Sequence, residues 1–456
     1  MHPLLTIVGA TGTGKSKLAV DLATRFNGEI INGDAMQLYR GLPTITNQIP
    51  VEERNSIPHH LIGRVELDEE PWRIGPFRRE SLRLIADIQA RGKLPILVGG
   101  THYYTQAVLF NEPLVGEVAD ICEQDGSGAG PAAEEEETSA KWPILDAPTE
   151  VVLQKLREVD PVMADRWHPN ESRKIRRSLE VYFQTGRPAS EIYAEQKRLT
   201  REAMARDGAG PGPGQLRFRT MVLWVHAEKE VLNSRLDRRV DAMVDQGLIP
   251  EARQMAEYIQ AKEAQGVTID QTRGVWVAIG LKELAPYLTA LADGSLGGHE
   301  LEAVKRGCIE SVKTATRKYA TSQTKWIRNK LWTSLAEVGM AHRLYLLDSS
   351  VVDDWEKCIA APSEMLVQTL LADEPAPDPK SLSELARVTL EAKEAQSKGS
   401  EEMPKCITCD SCNRTMTGEE QWNIHIRSHA HKRGLKAARK RAERAEHLRR
   451  RESTQE

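Results

Sequence analysis

Aromatic side chains and cysteine are both scarce in this chain of 456 residues. Phe, Trp and Tyr together make 5% of it, so a core has to be built mainly from aliphatic residues. The six cysteines are too unevenly spread for a disulfide scaffold: Cys406, Cys409 and Cys412 crowd one stretch, while Cys122, Cys308 and Cys358 stand apart. A reducing compartment is expected from that usage, with the cytoplasm first and the nucleus and mitochondrion left open. No apolar run approaches the ~20 residues of a membrane span, so no membrane partner is expected. The first apolar run starts at residue 4, and a cleaved signal or transit peptide is therefore not expected. The net charge of −4 hides an asymmetry. Glu134 to Glu137 form an acidic run, whereas Lys and Arg dominate Lys432 to Arg451. An anionic partner for the C-terminal end follows from that distribution.

What the chain does have is a complete phosphate loop, Gly9-Ala10-Thr11-Gly12-Thr13-Gly14-Lys15-Ser16, directly after the apolar run Leu4–Val8. Lys17 to Arg25 read as a helix, so the motif sits between strand and helix as it must. Its glycines let successive backbone N–H groups converge on an anion, and the helix N-terminus adds its positive dipole end. Lys15 can reach phosphate oxygens, and the Ser16 hydroxyl can ligate Mg²⁺. The ligand carries at least a diphosphate, and the motif alone does not say which.

Further strand signals at Glu29–Asn32, Leu94–Val98 and Thr220–Val225 alternate with helical stretches, which predicts a parallel α/β sheet. The expected organisation is a first core segment over 1–115 and an acidic, Gly-rich insertion expected to be disordered over 116–148. A helical insert over 149–207 and a second core segment over 215–340 come next. Residues 341–403 hold one strand-like run, Arg343–Leu347, and read as an extension grading into a linker. A metal-binding module over 404–431 and a basic tail over 432–456 close the chain.

In a parallel sheet the carboxyl ends of the strands face one crevice, where ligands bind. The second strand ends in Asn32-Gly33-Asp34-Ala35-Met36-Gln37, so Asp34 points beyond the phosphates. It can serve as a general base, as an indirect Mg²⁺ ligand, or as a helix cap. Leu94–Val98 ends in Gly99-Gly100-Thr101, where glycines permit close backbone approach and Thr101 offers a hydroxyl or an N-cap. Arg173, Lys174, Arg176 and Arg177 crowd about one and a half helical turns, which suits nucleic-acid phosphates, although such a charge run is more often a solvated helix face. Cys409-x2-Cys412-x12-His425-x5-His431 has the spacing of a structural zinc site. His429 and Cys406 offer alternative ligands. The adjoining basic tail fits nucleic-acid binding, a nuclear-localisation signal or a solvated charged helix.

Taken together, these residues resemble the tRNA dimethylallyltransferase family in its eukaryotic form. The resemblance rests on Gly9–Ser16, on Gly33-Asp34-Ala35-Met36-Gln37-x-Tyr39 and on Gly99-Gly100-Thr101-x-Tyr103-Tyr104. It extends through Asp160-Pro161, His168-Pro169-Asn170, Arg176 to Val181, Arg235-x3-Arg239-Val240-Asp241 and Ala278 to Glu283. It covers nearly all of residues 3–330, plus the zinc finger. The implied fold is a P-loop NTPase-like parallel sheet with an inserted helical domain and a C-terminal C2H2-type finger. The implied activity is transfer of a five-carbon prenyl group from dimethylallyl diphosphate to N6 of adenosine 37 in tRNA, by a monomer.

Under that resemblance Gly9, Ala10, Thr11, Gly12, Thr13, Gly14, Lys15 and Ser16 hold the diphosphate, helped by Arg235 and Arg239. Asp34 is the base on N6, and Thr101 bonds the bridging oxygen. Asp34, Ala35, Met36, Gln37 and Thr101 contact the target nucleotide. Arg173, Lys174, Ile175, Arg176 and Arg177 contact the tRNA. Mg²⁺ is held through Ser16 and a structural zinc by Cys409, Cys412, His425 and His431. The chain departs from the family pattern at Leu281, where Gly-Tyr-Lys is usual, and at Thr321-Ser322, where a basic pair is common. Two other readings share some of these residues: a phosphate-loop kinase of a small molecule or nucleoside, and a non-enzymatic zinc-finger protein that binds nucleic acid. The absence of a clear Arg-rich lid argues against the first. Intact Lys15, Ser16, Asp34 and Thr101 argue against the second.

Overall fold

Strand β1, Pro3–Gly9, is buried along nearly its whole length, and so are β2, Gly28–Asn32, and β4, Leu94–Gly99. Such continuous apolar runs belong to strands covered on both faces, the condition of a parallel sheet. With β3 (His59–His60), β5 (Arg219–His226) and β6 (Leu344–Asp348) they form a six-stranded sheet in the order β3-β2-β4-β1-β5-β6. Every pairing in it is parallel. The computed structural model describes residues 2–111, 142–204, 215–294, 296–397, 406–412 and 414–436. The acidic run at Glu134, Cys122 and the tail beyond residue 436 lie outside the described residues.

Successive side chains of β1 leave opposite faces. Leu4 and Val8 therefore join one core, and Leu5 and Ile7 the other. The first core is covered by Ile74–Ala90, His102–Leu109 and the long helices Lys229–Asp245 and Gly298–Trp326. The second is covered by α1, Lys15–Arg25, and by a helix over Ala361–Ala372. No helix among the described residues is long and apolar enough to cross a membrane.

The reading of 341–403 as an extension grading into a linker is corrected for its described part, which ends at Ser397. β6 pairs with β5 as the edge strand, and Leu366, Val367 and Leu370 of the Ala361–Ala372 helix pack against Tyr345 and Leu347. Residues up to Ser397 belong to the same compact unit as the sheet. The reason is physical: without that helix one face of β5 and β6 would stand bare.

The chain divides into two units, Met1–Pro113 with Thr200–Ser397, and Leu114–Leu199 with Lys398–Glu456. In the second unit, helices Thr149–Val159, Pro161–Arg166 and Ser172–Thr185 enclose a core of Val152, Leu156, Met163, Ile175 and Leu179. Buried Asp160 caps Pro161–Arg166 through the Met163 N–H at 3.1 Å and also holds the Ser190 N–H at 2.9 Å. The finger, a hairpin of β7 (Cys406–Cys409) and β8 (Arg414–Thr417) followed by a helix over Glu419–Arg427, belongs to this unit. It rests on the turn before Ser172, where His168 Nε2 donates to the Thr415 carbonyl at 3.1 Å and Cys406 Sγ donates to that of Arg166 at 3.4 Å.

Candidate active site and metal centre

Register brings the carboxyl ends of three strands level: Val8 pairs with Gly99, and Asn32 with Val98. The phosphate loop, Asp34 and Thr101 therefore meet at one edge of the sheet. Gly12 (φ 83) and Gly14 (φ 95) take left-handed backbone conformations that only glycine adopts without strain. Gly99 lies so close to the Gly33 carbonyl that a Cβ there would collide with backbone. The carboxyl ends of β2 and β4 can thus approach closely because no side chain stands between them.

Asp34 is fixed from both sides. Its backbone N–H donates to Asn32 Oδ1 at 2.9 Å, and its Oδ1 accepts the Met36 N–H at 3.0 Å. Burial raises its pKa, against the pull of that N–H, Lys15 and Arg239. Thr101 Oγ1 accepts the Ala35 N–H at 2.9 Å, which leaves its own proton to donate. Lys15 Nζ donates to the Ala10 carbonyl at 2.7 Å, and burial lowers its pKa to about 8, with Asp34 opposing and Arg239 reinforcing. Burial likewise lowers Arg239 to about 10, and its Nε has no hydrogen-bond partner among the described residues. Two partly buried cations beside a nest of N–H groups can receive a multivalent anion.

The structure sorts the sequence-predicted residues. Arg239 acts electrostatically on both Lys15 and Asp34, whereas Arg235 donates to the Ser350 carbonyl at 2.9 Å. Thr13 is buried with its hydroxyl on the Ala10 carbonyl, and its backbone is what remains for a ligand. Ser16 stands exposed in the first turn of α1. Gln37 Nε2 donates to the Asn47 carbonyl at 2.8 Å, while Ala35 and Met36 are partly buried.

In the second unit Lys174 pairs with Glu171, Arg176 with Asp146 at 3.3 Å, and Arg177 with Glu180 at 3.1 Å. Such exposed pairs are weak, and phosphates can displace them. Ile175, grouped with these cations in the sequence, is corrected: at 0% exposure it is a core residue and its side chain cannot touch RNA. The helical period that exposes Arg173 and Lys174 turns Ile175 inward. Leu281 fills a buried core position, and Thr321 and Ser322 turn their hydroxyls to the helix's own carbonyls.

Residues the sequence did not single out complete the site. Gln323 accepts the Thr11 N–H at 2.8 Å and donates to the Gly100 carbonyl at 3.0 Å, tying the phosphate loop to the turn before Thr101. The Tyr319 side chain interacts with Thr101 and Gln323, and burial raises its pKa. His102, 4% exposed, stacks on Trp326 at 4.8 Å. Burial, with Lys15 adding, pulls it down to about 3, so it stays neutral. Nothing local marks Gln323. It lies over three hundred residues from Thr11 and reaches it only through the fold.

Cys409, Cys412, His425 and His431 bring their ligand atoms within 4.8 Å of one another. Cys409 Sγ lies 3.6 Å, Cys412 Sγ 3.4 Å and His425 Nε2 3.1 Å from His431 Nδ1. A tetrahedral zinc with bonds of about 2.3 Å to sulfur and 2.0–2.1 Å to nitrogen needs S···N edges of about 3.5 Å and N···N edges of about 3.3 Å. The donor set fits a closed structural zinc. Neither His429 nor Cys406 belongs to it, and Cys406 is engaged with Arg166.

Comparison with known proteins gives a consistent result. A family model described as IPP transferase matches residues 37–330, and a zinc finger of C2H2 type matches 407–431. The tRNA dimethylallyltransferase of Schizosaccharomyces pombe is 37% identical over 457 residues, covering 97% of each chain. That of Homo sapiens is 33% identical, over 96% of this chain and 87% of its own. A solved structure of a eukaryotic dimethylallyltransferase acting on tRNA is 33% identical, with a TM-score of 0.76, over 98% of this chain and 99% of its own.

Proposed function

The chain belongs to the IPP transferase family, as an enzyme that transfers a dimethylallyl group to tRNA, and from that premise we propose that the donor is dimethylallyl diphosphate and the acceptor N6 of adenosine 37. One observation carries this reading: Lys15, Arg239, Asp34 and Thr101 meet over the phosphate loop at one sheet edge.

An exocyclic amine is a poor nucleophile, so both ends of the transfer need help. Asp34 accepts the N6 proton as N6 bonds to the allylic carbon, and its raised pKa suits a base. Thr101 donates to the bridging oxygen as the carbon–oxygen bond breaks. The diphosphate departs into the N–H nest with Lys15 and Arg239 beside it. Adenosine 37 has to leave its stack to enter the crevice, at a cost of a few kcal/mol. Ser16, exposed at the helix N-terminus, would hold a Mg²⁺ shared with the diphosphate, and such an ion supplies further charge relief to the leaving group. Arg173, Lys174, Arg176 and Arg177 supply phosphate contacts to the tRNA. The proposed enzyme works as a monomer, and its cysteines, which form no disulfide among the described residues, suit a reducing compartment, the cytoplasm first.

The test uses the full chain with Mg²⁺, labelled dimethylallyl diphosphate and a tRNA bearing A36-A37-A38. Label enters the tRNA, and omission of Mg²⁺ slows the transfer. Consumption of ATP with no label transferred would replace this reading with that of a kinase.

A further inference from the structure

The phosphate loop is walled in on its flanks, and one of the walls is unexpected. Behind Gly9 stands the Val225 carbonyl, and beside Gly12 the Leu236 side chain, 2.7 Å from where a Cβ would be. On the flank of Gly14 lies the ring of Trp355, with Cη2 and Cζ3 at 2.7 and 2.8 Å from such a Cβ. The Lys17 ammonium sits 4.4 Å above the same ring. Trp355 belongs to the segment after β6, beyond the stretch that the family model matches. That segment is pinned to the site: Ser350 accepts Arg235 through its carbonyl and the Glu228 N–H through its hydroxyl, both at 2.9 Å. The indole N–H has no hydrogen-bond partner among the described residues, so packing against the loop, Lys17 and the second core is what places the ring.

A prenyl diphosphate carries a substituent at one end only, and under the reading above that end points to Thr101 and Asp34. The free terminal phosphate then faces the Gly14 flank. A nucleotide can enter such a loop in two ways. Its nucleoside either fills the acceptor crevice, or passes the Gly14 flank and lies over the outer face of α1. We propose that Trp355 closes the second route and makes the phosphate loop selective for a diphosphate with no group on its far end. It is a specificity residue that acts by occupying the space a nucleoside would need. The inference rests on the proposed donor, because the direction of the prenyl end sets which flank has to be shut.

The experiment compares the wild-type protein with Trp355→Ala and Trp355→Phe, using ADP as the probe. Prenyl transfer by the wild type is measured first, and its absence overturns the proposed donor itself. With transfer intact, ADP inhibits the wild type weakly. Trp355→Ala lowers the inhibition constant about ten-fold or more, competitively with the donor and not with tRNA. Trp355→Phe keeps a ring on Gly14 and stays close to wild type. Equal inhibition of wild type and Trp355→Ala overturns the proposal. So does loss of ADP inhibition in Trp355→Ala, which would mean that the ring stacks on the base. Direct ADP binding by equilibrium dialysis gives the same comparison if transfer by Trp355→Ala is too slow to follow. A Trp355→Leu variant replaces it if Trp355→Ala does not fold.

Discussion

Lys15 is asked to stay charged in a place that opposes charge. Burial brings its pKa to about 8, and only its protonated form attracts a diphosphate. On the proposed reading the donor should be held firmly below pH 8, with affinity falling as pH rises through that value. In a profile of kcat/KM for the donor, Lys15→Arg should move the alkaline fall to higher pH, because a guanidinium keeps its proton. Asp34 sets the acid side, since its raised pKa means that the base form is lost earlier than for an exposed carboxylate. Asp34→Asn keeps the shape and removes the base. It should slow the chemical step about 10²–10⁴-fold with little change in tRNA affinity, measured by single-turnover rates beside filter binding. Asp34 and Thr101 were legible in the sequence because each ends an apolar run, and strand ends in a parallel sheet share a crevice. Gln323, Tyr319 and Trp355 were not, because each reaches the site from a distant element and no local pattern marks it. Ile175 misled for the opposite reason, being enclosed by a cationic pattern whose helical phase buries it.

Among the elements, β2 is anchored by a buried charge. Glu29, 1% exposed, accepts Arg91 at 2.7 and 2.9 Å, Lys93 at 2.8 Å and His60 at 2.7 Å. Burial alone would raise its pKa, but Lys93, Arg91 and His60 outweigh it and bring it to about 2. A folded value below the unfolded one means stability that is present above pH ~4.5 and lost as pH falls toward 2. Glu29→Gln should cost about 3 kcal/mol at pH 7 in urea melts, with the difference shrinking below pH 4. The finger depends on its metal in the same local way. Cys409→Ser with Cys412→Ser should abolish zinc binding, measured by metal content, and raise KM for tRNA more than it lowers kcat. The strands around the phosphate loop and the spacing of the finger could be read directly, since each follows a short-range period. The Ala361–Ala372 helix could not. Its role is to cover a sheet face, which becomes visible only once β6 is seen to pair with β5.

For the whole molecule, the family and its action on tRNA were implied by motifs spread over the chain. The direction proposed for the donor was not, because it rests on how the loop's flanks are filled. On the proposed reading, donor and acceptor meet between Thr101 and Asp34, with N6 bonding to the allylic carbon as the carbon–oxygen bond to diphosphate breaks. The most direct measurement is the site and chemistry of the modification. The full chain is incubated with tRNA bearing A36-A37-A38, Mg²⁺ and dimethylallyl diphosphate, and the tRNA is digested and analysed by mass spectrometry. One five-carbon unit on N6 of adenosine 37, with one diphosphate released for each, is the expected result. Unmodified adenosine 37, a prenyl group on another base, or phosphate transferred from ATP in its place would contradict it.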